Sequence, residues 1–314
     1  PWVAAFLGYA SGVHAPGLTD PAAALTAHHH LLLAHGEATA ALRAALPADR
    51  QISLVLNLAA VRARSAGPLD VDAASRVDGL ANRLALGPVL SGASPRDVLE
   101  DTAAVTDWSF VHDGDLRTIA APIDALGLNY YTPTVVRGGA LPGEPRNDGH
   151  GVSAYSPWPA CDDVGFDRAP GPRTVMDWPV DPVGLYDIIM RVHALAPGLP
   201  LMVTENGAAY TDAVGPDGHV ADPERQAYLA AHLGAVRRAL AAGADVRGYF
   251  VWSLLDNFEW AYGYAKRFGI IYVDFATGRR TLKDSARWYA SVIAAHRAGE
   301  RHDDRSGSTR RSRQ

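Results

Sequence analysis

Leu201-Met202-Val203-Thr204-Glu205-Asn206-Gly207-Ala208 decides how this chain folds: an apolar strand runs into a carboxylate, and an Asn-Gly pair then turns the backbone away. An α/β sheet presents a catalytic acid in this manner, at the carboxyl end of a strand. Apolar neighbours hold the side chain rigid and the turn leaves it facing a cleft. Glu205 is therefore the first candidate for chemistry. The same string also suits an ordinary strand end whose Asn-Gly pair does nothing but turn, so other segments have to decide.

A second run, Arg247-Gly248-Tyr249-Phe250-Val251-Trp252-Ser253-Leu254-Leu255-Asp256-Asn257-Phe258-Glu259-Trp260, is aromatic and apolar and empties into a polar, indole-bearing cluster. Sugars suit such a setting, because their C–H faces stack on rings while their hydroxyls donate to carboxylates. Further out, strand-like runs at Ile52 to Leu58, Ala125 to Tyr131, Leu201 to Glu205 and Gly248 to Ser253 alternate with helical patterns. Asp20-Pro21, Ser94-Pro95, Asp181-Pro182 and Asp222-Pro223 each place a capping side chain before a proline, which marks four helix starts. Leu25, His28, Leu32, His35, Thr39 and Leu42 recur at helical spacing, and Gly243 stops the helix that starts at Asp222. Strand and helix in alternation imply a parallel sheet with crossover helices, an α/β fold.

Thr204-Glu205-Asn206-Gly207, the Trp252 to Trp260 cluster, Asn129-Tyr130-Tyr131 and Lys283-Asp284-Ser285-Ala286-Arg287-Trp288-Tyr289 together resemble glycoside hydrolase family 1, the β-glucosidase family. Ala27-His28 and Leu31-Leu32-Leu33-Ala34-His35-Gly36 extend the resemblance into the first helix. It implies a (β/α)8 TIM barrel, of which residues 1–299 form the carboxyl-terminal part, about four strands with their helices. It also implies retaining hydrolysis of terminal β-D-glucosyl residues through a covalent glycosyl-enzyme, with no cofactor. Glu205 matches the nucleophile and should be ionised. Asn129 matches a residue that points toward the sugar, and Tyr131 one whose hydroxyl reaches the nucleophile. Trp252 matches the floor on which the sugar stacks, and Trp260 an indole that donates to a hydroxyl. Glu259 matches a glutamate that accepts from the 4- and 6-hydroxyls, which favours a neutral glucoside, galactoside or fucoside over a 6-phosphosugar. Tyr130 alternates to the other face and reads as packing.

The resemblance leaves one role unfilled. The family takes its general acid/base from a strand ending in Asn-Glu-Pro, and Pro1 resembles the proline that follows that glutamate. The expectation is a carboxyl-terminal half whose acid/base would precede Pro1, inactive or severely impaired alone unless a complementary amino-terminal half closes the sheet. A non-catalytic carbohydrate-binding remnant is the rival reading.

Composition narrows the remaining classes. With 314 residues, 48% of them hydrophobic, the chain is long enough to bury a sizeable core. A net charge of −5 gives no general reason to expect nucleic acid or an anionic membrane as partner. The lone Cys161 makes no internal disulfide, and no segment reaches the roughly 18 uninterrupted apolar residues of a membrane span. A cytoplasmic enzyme acting on a β-glucoside or short β-linked oligosaccharide is the default. His28-His29-His30 with His35 invites a metal, but consecutive helical residues point about 100° apart, so a helix surface is the simpler account and no metal is expected. Gly138 to Pro179 is too long for a plain connection and reads as a rim, with Trp158 and Trp178 as platforms. Residues 300–314, rich in Arg and Ser without apolar periodicity, read as a disordered tail.

Overall fold

The structure is a computed structural model that describes residues 1–140, 144, 151 and 153–311, with side chains through residue 298. It divides into two units, Pro1–Asn206 with Ala231–Val251, and Gly207–Ala230 with Trp252–Gln314.

Among the described residues the first unit holds seven strands: β1 Ser53–Asn57, β2 Ala60–Ala63, β3 Ala125–Asn129, β4 Pro133–Gly138, β5 Val164–Asp167, β6 Leu201–Asn206 and β7 Val246–Val251. Four of them form one sheet in the order β1-β3-β6-β7, parallel at every pairing. These are the four strands expected from the apolar runs, each within two residues of its expected start and end. Helices α1 Pro21–Ala45, α2 Pro68–Asp78, α3 Leu84–Ser91, α4 Arg96–Asp101, α5 Asp115–Ile119, α6 Pro182–Leu195 and α7 Pro223–Ala241 supply the crossovers. The chain is thus α/β with a parallel sheet.

Cap chemistry explains where the helices begin. Asp20 accepts from the backbone N–H groups of Ala22 and Ala23, both at 3.0 Å, and Asp181 from that of Val183 at 3.2 Å. Ser94 does not follow suit: α4 starts at Arg96 with Pro95 in the cap position and no side-chain cap bond. Asp222 precedes α7 as expected, yet its carboxylate is taken up by Arg225 and Ser285.

One face of the sheet carries the core. Leu56, Leu126, Leu128 and Val203 pack against Leu185, Ile189 and Val192 of α6, with Leu86 and Val89 of α3 and Val236 of α7 closing the layer. Burying each such side chain contributes about 1.5–3 kcal/mol. The opposite face is different within this unit, because Val55 is 41% and Phe250 55% exposed. Gly127 is forced there: a Cβ would lie 2.8 Å from both Thr204 Cγ2 and Val55 Cγ2.

Two expectations need correction. The stretch read as a rim begins at the last residue of β4 and contains β5, and the two join β2 in a second sheet of order β2-β4-β5. Within it Trp158 is no platform. It is fully buried, stacked on Trp2 at 5.3 Å and edge-on to Phe6 at 5.9 Å, because those apolar partners, remote in sequence, converge on it. Trp178 is buried too, with its ring 5.7 Å from that of Tyr131. Residues 141–143, 145–150 and 152 of that stretch lie outside the described residues.

The second unit contains the hairpin β8 Ile271–Val273 and β9 Arg280–Leu282, followed by α8 Asp284–Arg311. Helical backbone therefore occupies most of the segment read as an unordered tail; an already seated helix can be prolonged by Arg and Glu, which are good helix formers. Residues 312–314 lie outside the described residues.

Candidate active site

The carboxyl end of β6 is irregular, and the irregularity sets the site. Val203 pairs with Leu128 on one side and Tyr249 on the other; beyond it Glu205 pairs with Asn129, and Asn206 with Val251. β6 thus carries one more residue than either neighbour, a bulge that interrupts the alternation of faces and re-aims the side chains beside it.

Side chains replace the broken ladder. Thr204 Oγ1 donates to Asn129 Oδ1 at 2.7 Å, and the Tyr130 N–H donates to the Glu205 carbonyl at 3.0 Å. Asn206, fully buried, donates its amide to the Tyr130 carbonyl at 2.7 Å and accepts from the Tyr249 hydroxyl at 2.6 Å. Glu205 itself is half-buried, and its Oε2 accepts a 2.5 Å bond from the Tyr131 hydroxyl. Tyr130 faces away, buried, with its hydroxyl on the Asp181 carbonyl at 3.0 Å. Tyr131 also lines a small cleft together with Trp2, Asn57, Ala59, Thr134 and Trp158. Three expected residues, Asn129, Tyr131 and Glu205, thus come together at the strand ends. The hydroxyl bond orients the carboxylate through Oε2 alone.

The second unit carries the other three. Trp252 and Glu259 are half-buried and Trp260 is 64% exposed. Gly207 is required here, since a Cβ would sit 1.7 Å from the Trp252 carbonyl oxygen. Between Trp252 and Glu259 the backbone is tied down: Ser253 N–H donates to Phe268 O at 3.2 Å, Ile271 N–H to Leu254 O at 3.0 Å and Asp256 N–H to Ile271 O at 3.0 Å. Glu259 opens a tight turn, with its N–H on Gly263 O at 2.7 Å and its carbonyl accepting from Tyr262 at 2.8 Å.

Beneath that segment lies a buried ion network that sequence reading missed. Lys283 donates to Asp212 at 2.6 Å and Asp256 at 2.8 Å; Arg225 pairs with Asp212 at 2.7 Å and Asp222 at 2.5 Å; Arg267 pairs with Asp256 at 2.6 Å. Asp256 also accepts from the Gly269 N–H at 3.0 Å. Burial lowers the Lys283 ammonium from its ordinary range and nearby Arg225 adds to the fall, while Asp212 and Asp256 hold the charge in place. Six ionic side chains from four stretches of sequence meet here; Lys283 and Asp256 stood in the motifs that carried the resemblance, but nothing there joined them.

No group of three or more His, Cys, Asp or Glu among the described residues is placed to hold a metal. In the histidine run, His29 bonds Asp115 at 2.8 Å, and buried His28 stacks on Phe6 at 5.4 Å. No helix among the described residues is long and apolar enough to cross a membrane.

Comparison with known proteins extends this picture over nearly the whole chain. The glycosyl hydrolase family 1 model matches residues 1–298. A bifunctional β-D-glucosidase/β-D-fucosidase of Bifidobacterium breve is 46% identical over 302 residues, 95% of this chain and 63% of that protein. Among solved structures, a psychrophilic β-glucosidase from Micrococcus antarcticus superposes with a TM-score of 0.88 at 48% identity, covering 94% of this chain and 63% of that one. A family 1 β-glucosidase from Thermotoga maritima gives 0.82 at 38% identity, covering 94% and 62%. The chain therefore spans about 60% of the length of the curated relatives it matches.

Proposed function

Since the chain belongs to glycoside hydrolase family 1, we propose that it carries the nucleophile half of a retaining β-glucosidase, with Glu205 attacking the anomeric carbon of a terminal β-D-glucosyl residue. The observation that carries this is the Tyr131 hydroxyl on the Glu205 carboxylate at the carboxyl ends of β3 and β6. Relatives named as β-glucosidases support it. Asn129 is assigned to the sugar, Trp252 to stacking, Glu259 to accepting from the 4- and 6-hydroxyls, and Trp260 to donating from its indole N–H. A β-fucoside is a second substrate class, favoured by the bifunctional relative at 46% identity.

Retaining hydrolysis needs a second carboxyl group about 5–5.5 Å from the first, to protonate the leaving oxygen and then activate water. None of the carboxylates in this sequence is assigned that role. Closure of the sheet into a (β/α)8 barrel by strands beyond these 314 residues belongs to the same proposal, supported by the sequential all-parallel order and by Val55 and Phe250 standing exposed on one face. The substrate is a β-glucoside or short β-linked oligosaccharide, and the cytoplasm is the proposed location.

A dinitrophenolate leaving group needs no proton, so 2,4-dinitrophenyl β-glucoside tests the nucleophile without the acid. Residues 1–314 should release dinitrophenol, Glu205→Ala should not, and added azide should restore release with glucosyl azide of inverted configuration. Glucosides with poor leaving groups should turn over about 10²–10⁴-fold more slowly than in a family member with its acid in place. Release that Glu205→Gln leaves untouched would remove Glu205 from the mechanism.

A further inference from the structure

From the register of β6 and the bonds around it, we infer that Tyr249 is a positioning residue for Glu205, acting through Asn206. This rests on Glu205 being the nucleophile. The extra residue of β6 shifts the ladder on both sides just before Glu205, which keeps a strand partner in Asn129 of β3 but none in β7. A chain of neutral bonds adds to that hold. The Tyr249 hydroxyl donates to Asn206 Oδ1, the Asn206 amide donates to the Tyr130 carbonyl, and the Tyr130 N–H donates to the Glu205 carbonyl. Asn206 is fully buried, so bulk water is not at hand to replace the Tyr249 hydroxyl on its Oδ1. Tyr249 belongs to β7 and Tyr130 follows β3, so the chain of bonds spans all three strand ends around the bulge. On the other side of Glu205, Thr204 ties the bulge to Asn129.

The Tyr249 hydroxyl is spent on Asn206, and Tyr249 is not among the residues lining the cleft described above, so its effect should fall on the attack step and not on sugar binding. The test uses 2,4-dinitrophenyl 2-deoxy-2-fluoro-β-glucoside. The Glu205 oxygen forms a bond to C1, the C1–O bond to dinitrophenolate breaks with its electron pair leaving on the phenolate, and the slow second step leaves an ester. Labelling by this reagent gives a maximal rate and a half-saturation concentration separately. Tyr249→Phe, which keeps the ring, should lower the maximal rate by about 10–100-fold, the scale on which small displacements of a reacting group act, and leave the half-saturation concentration within about threefold. Thr204→Val should act in the same direction, while Thr204→Ser, which keeps the hydroxyl, should restore the rate. An unchanged maximal rate in folded Tyr249→Phe, or a change confined to half-saturation, overturns the inference while the nucleophile stands. No labelling of the unsubstituted chain overturns the nucleophile, and the positioning role falls with it.

Discussion

Two carboxylate neighbourhoods in this chain are built on opposite plans. Asp212, Asp222 and Asp256 in the second unit each meet a buried cation at 2.5 to 2.8 Å, whereas Glu205 in the first meets a phenol. A carboxylate tied to Lys283 and Arg267 is stabilised as a charge and immobilised, which suits a strut. A carboxylate that has to form a bond to carbon is better served by a partner that orients it without neutralising it, because charge withdrawn into an ion pair is withdrawn from attack. The same residue chemistry thus separates scaffold from reactivity.

The contrast implies a ranking of stability costs. Removing one member of the buried network leaves uncompensated charge, so Lys283→Met should destabilise by about 3–5 kcal/mol, read from urea midpoints. A loss below about 1 kcal/mol would mean that the network is no strut.

Acid should then strike the first unit through a base. Burial, first of all, pushes His28 down to about 3, with His29 and the amino terminus adding to the fall. Unfolded, the ring titrates near 6.5. Between those values the unfolded chain binds the proton that the folded one refuses, so stability present above pH 6.5 is lost as pH falls toward 3. The decline from about pH 6 to 4 should amount to about 2 kcal/mol and shrink in His28→Gln; an identical slope in that variant would deny it.

Gly207→Ala sharpens the comparison where the second unit begins. Its Cβ would press on the Trp252 carbonyl, so the variant should lose about 1–3 kcal/mol, visible as a lower thermal midpoint and altered tryptophan emission. Tyr131→Phe should show the smallest effect on stability, about 0.5–1.5 kcal/mol, while slowing dinitrophenol release. Large destabilisation without a change in rate would make Tyr131 a strut as well.

How much of this was legible in the sequence follows from the range of the forces involved. The four sheet strands stood out because each is a local apolar run, and Glu205 because Asn206-Gly207 turns the chain directly after it. The bulge was invisible, since it is a relation between β6 and the registers of β3 and β7 and not a property of β6. Trp158 was misread for the same reason: the rings that bury it, Trp2 and Phe6, lie far away in sequence. The ion network needed four remote stretches to converge. Asn206 reads as a turn residue, and only its buried bonds to Tyr130 and Tyr249 show that it also joins three strands.

Peptide mapping of residues 1–314 after treatment with the dinitrophenyl fluoroglucoside is the most direct test of the nucleophile. One fluoroglucosyl unit on the peptide containing Glu205, absent from Glu205→Gln, is the expected result. An unlabelled chain, or a label on any other carboxylate, would contradict it.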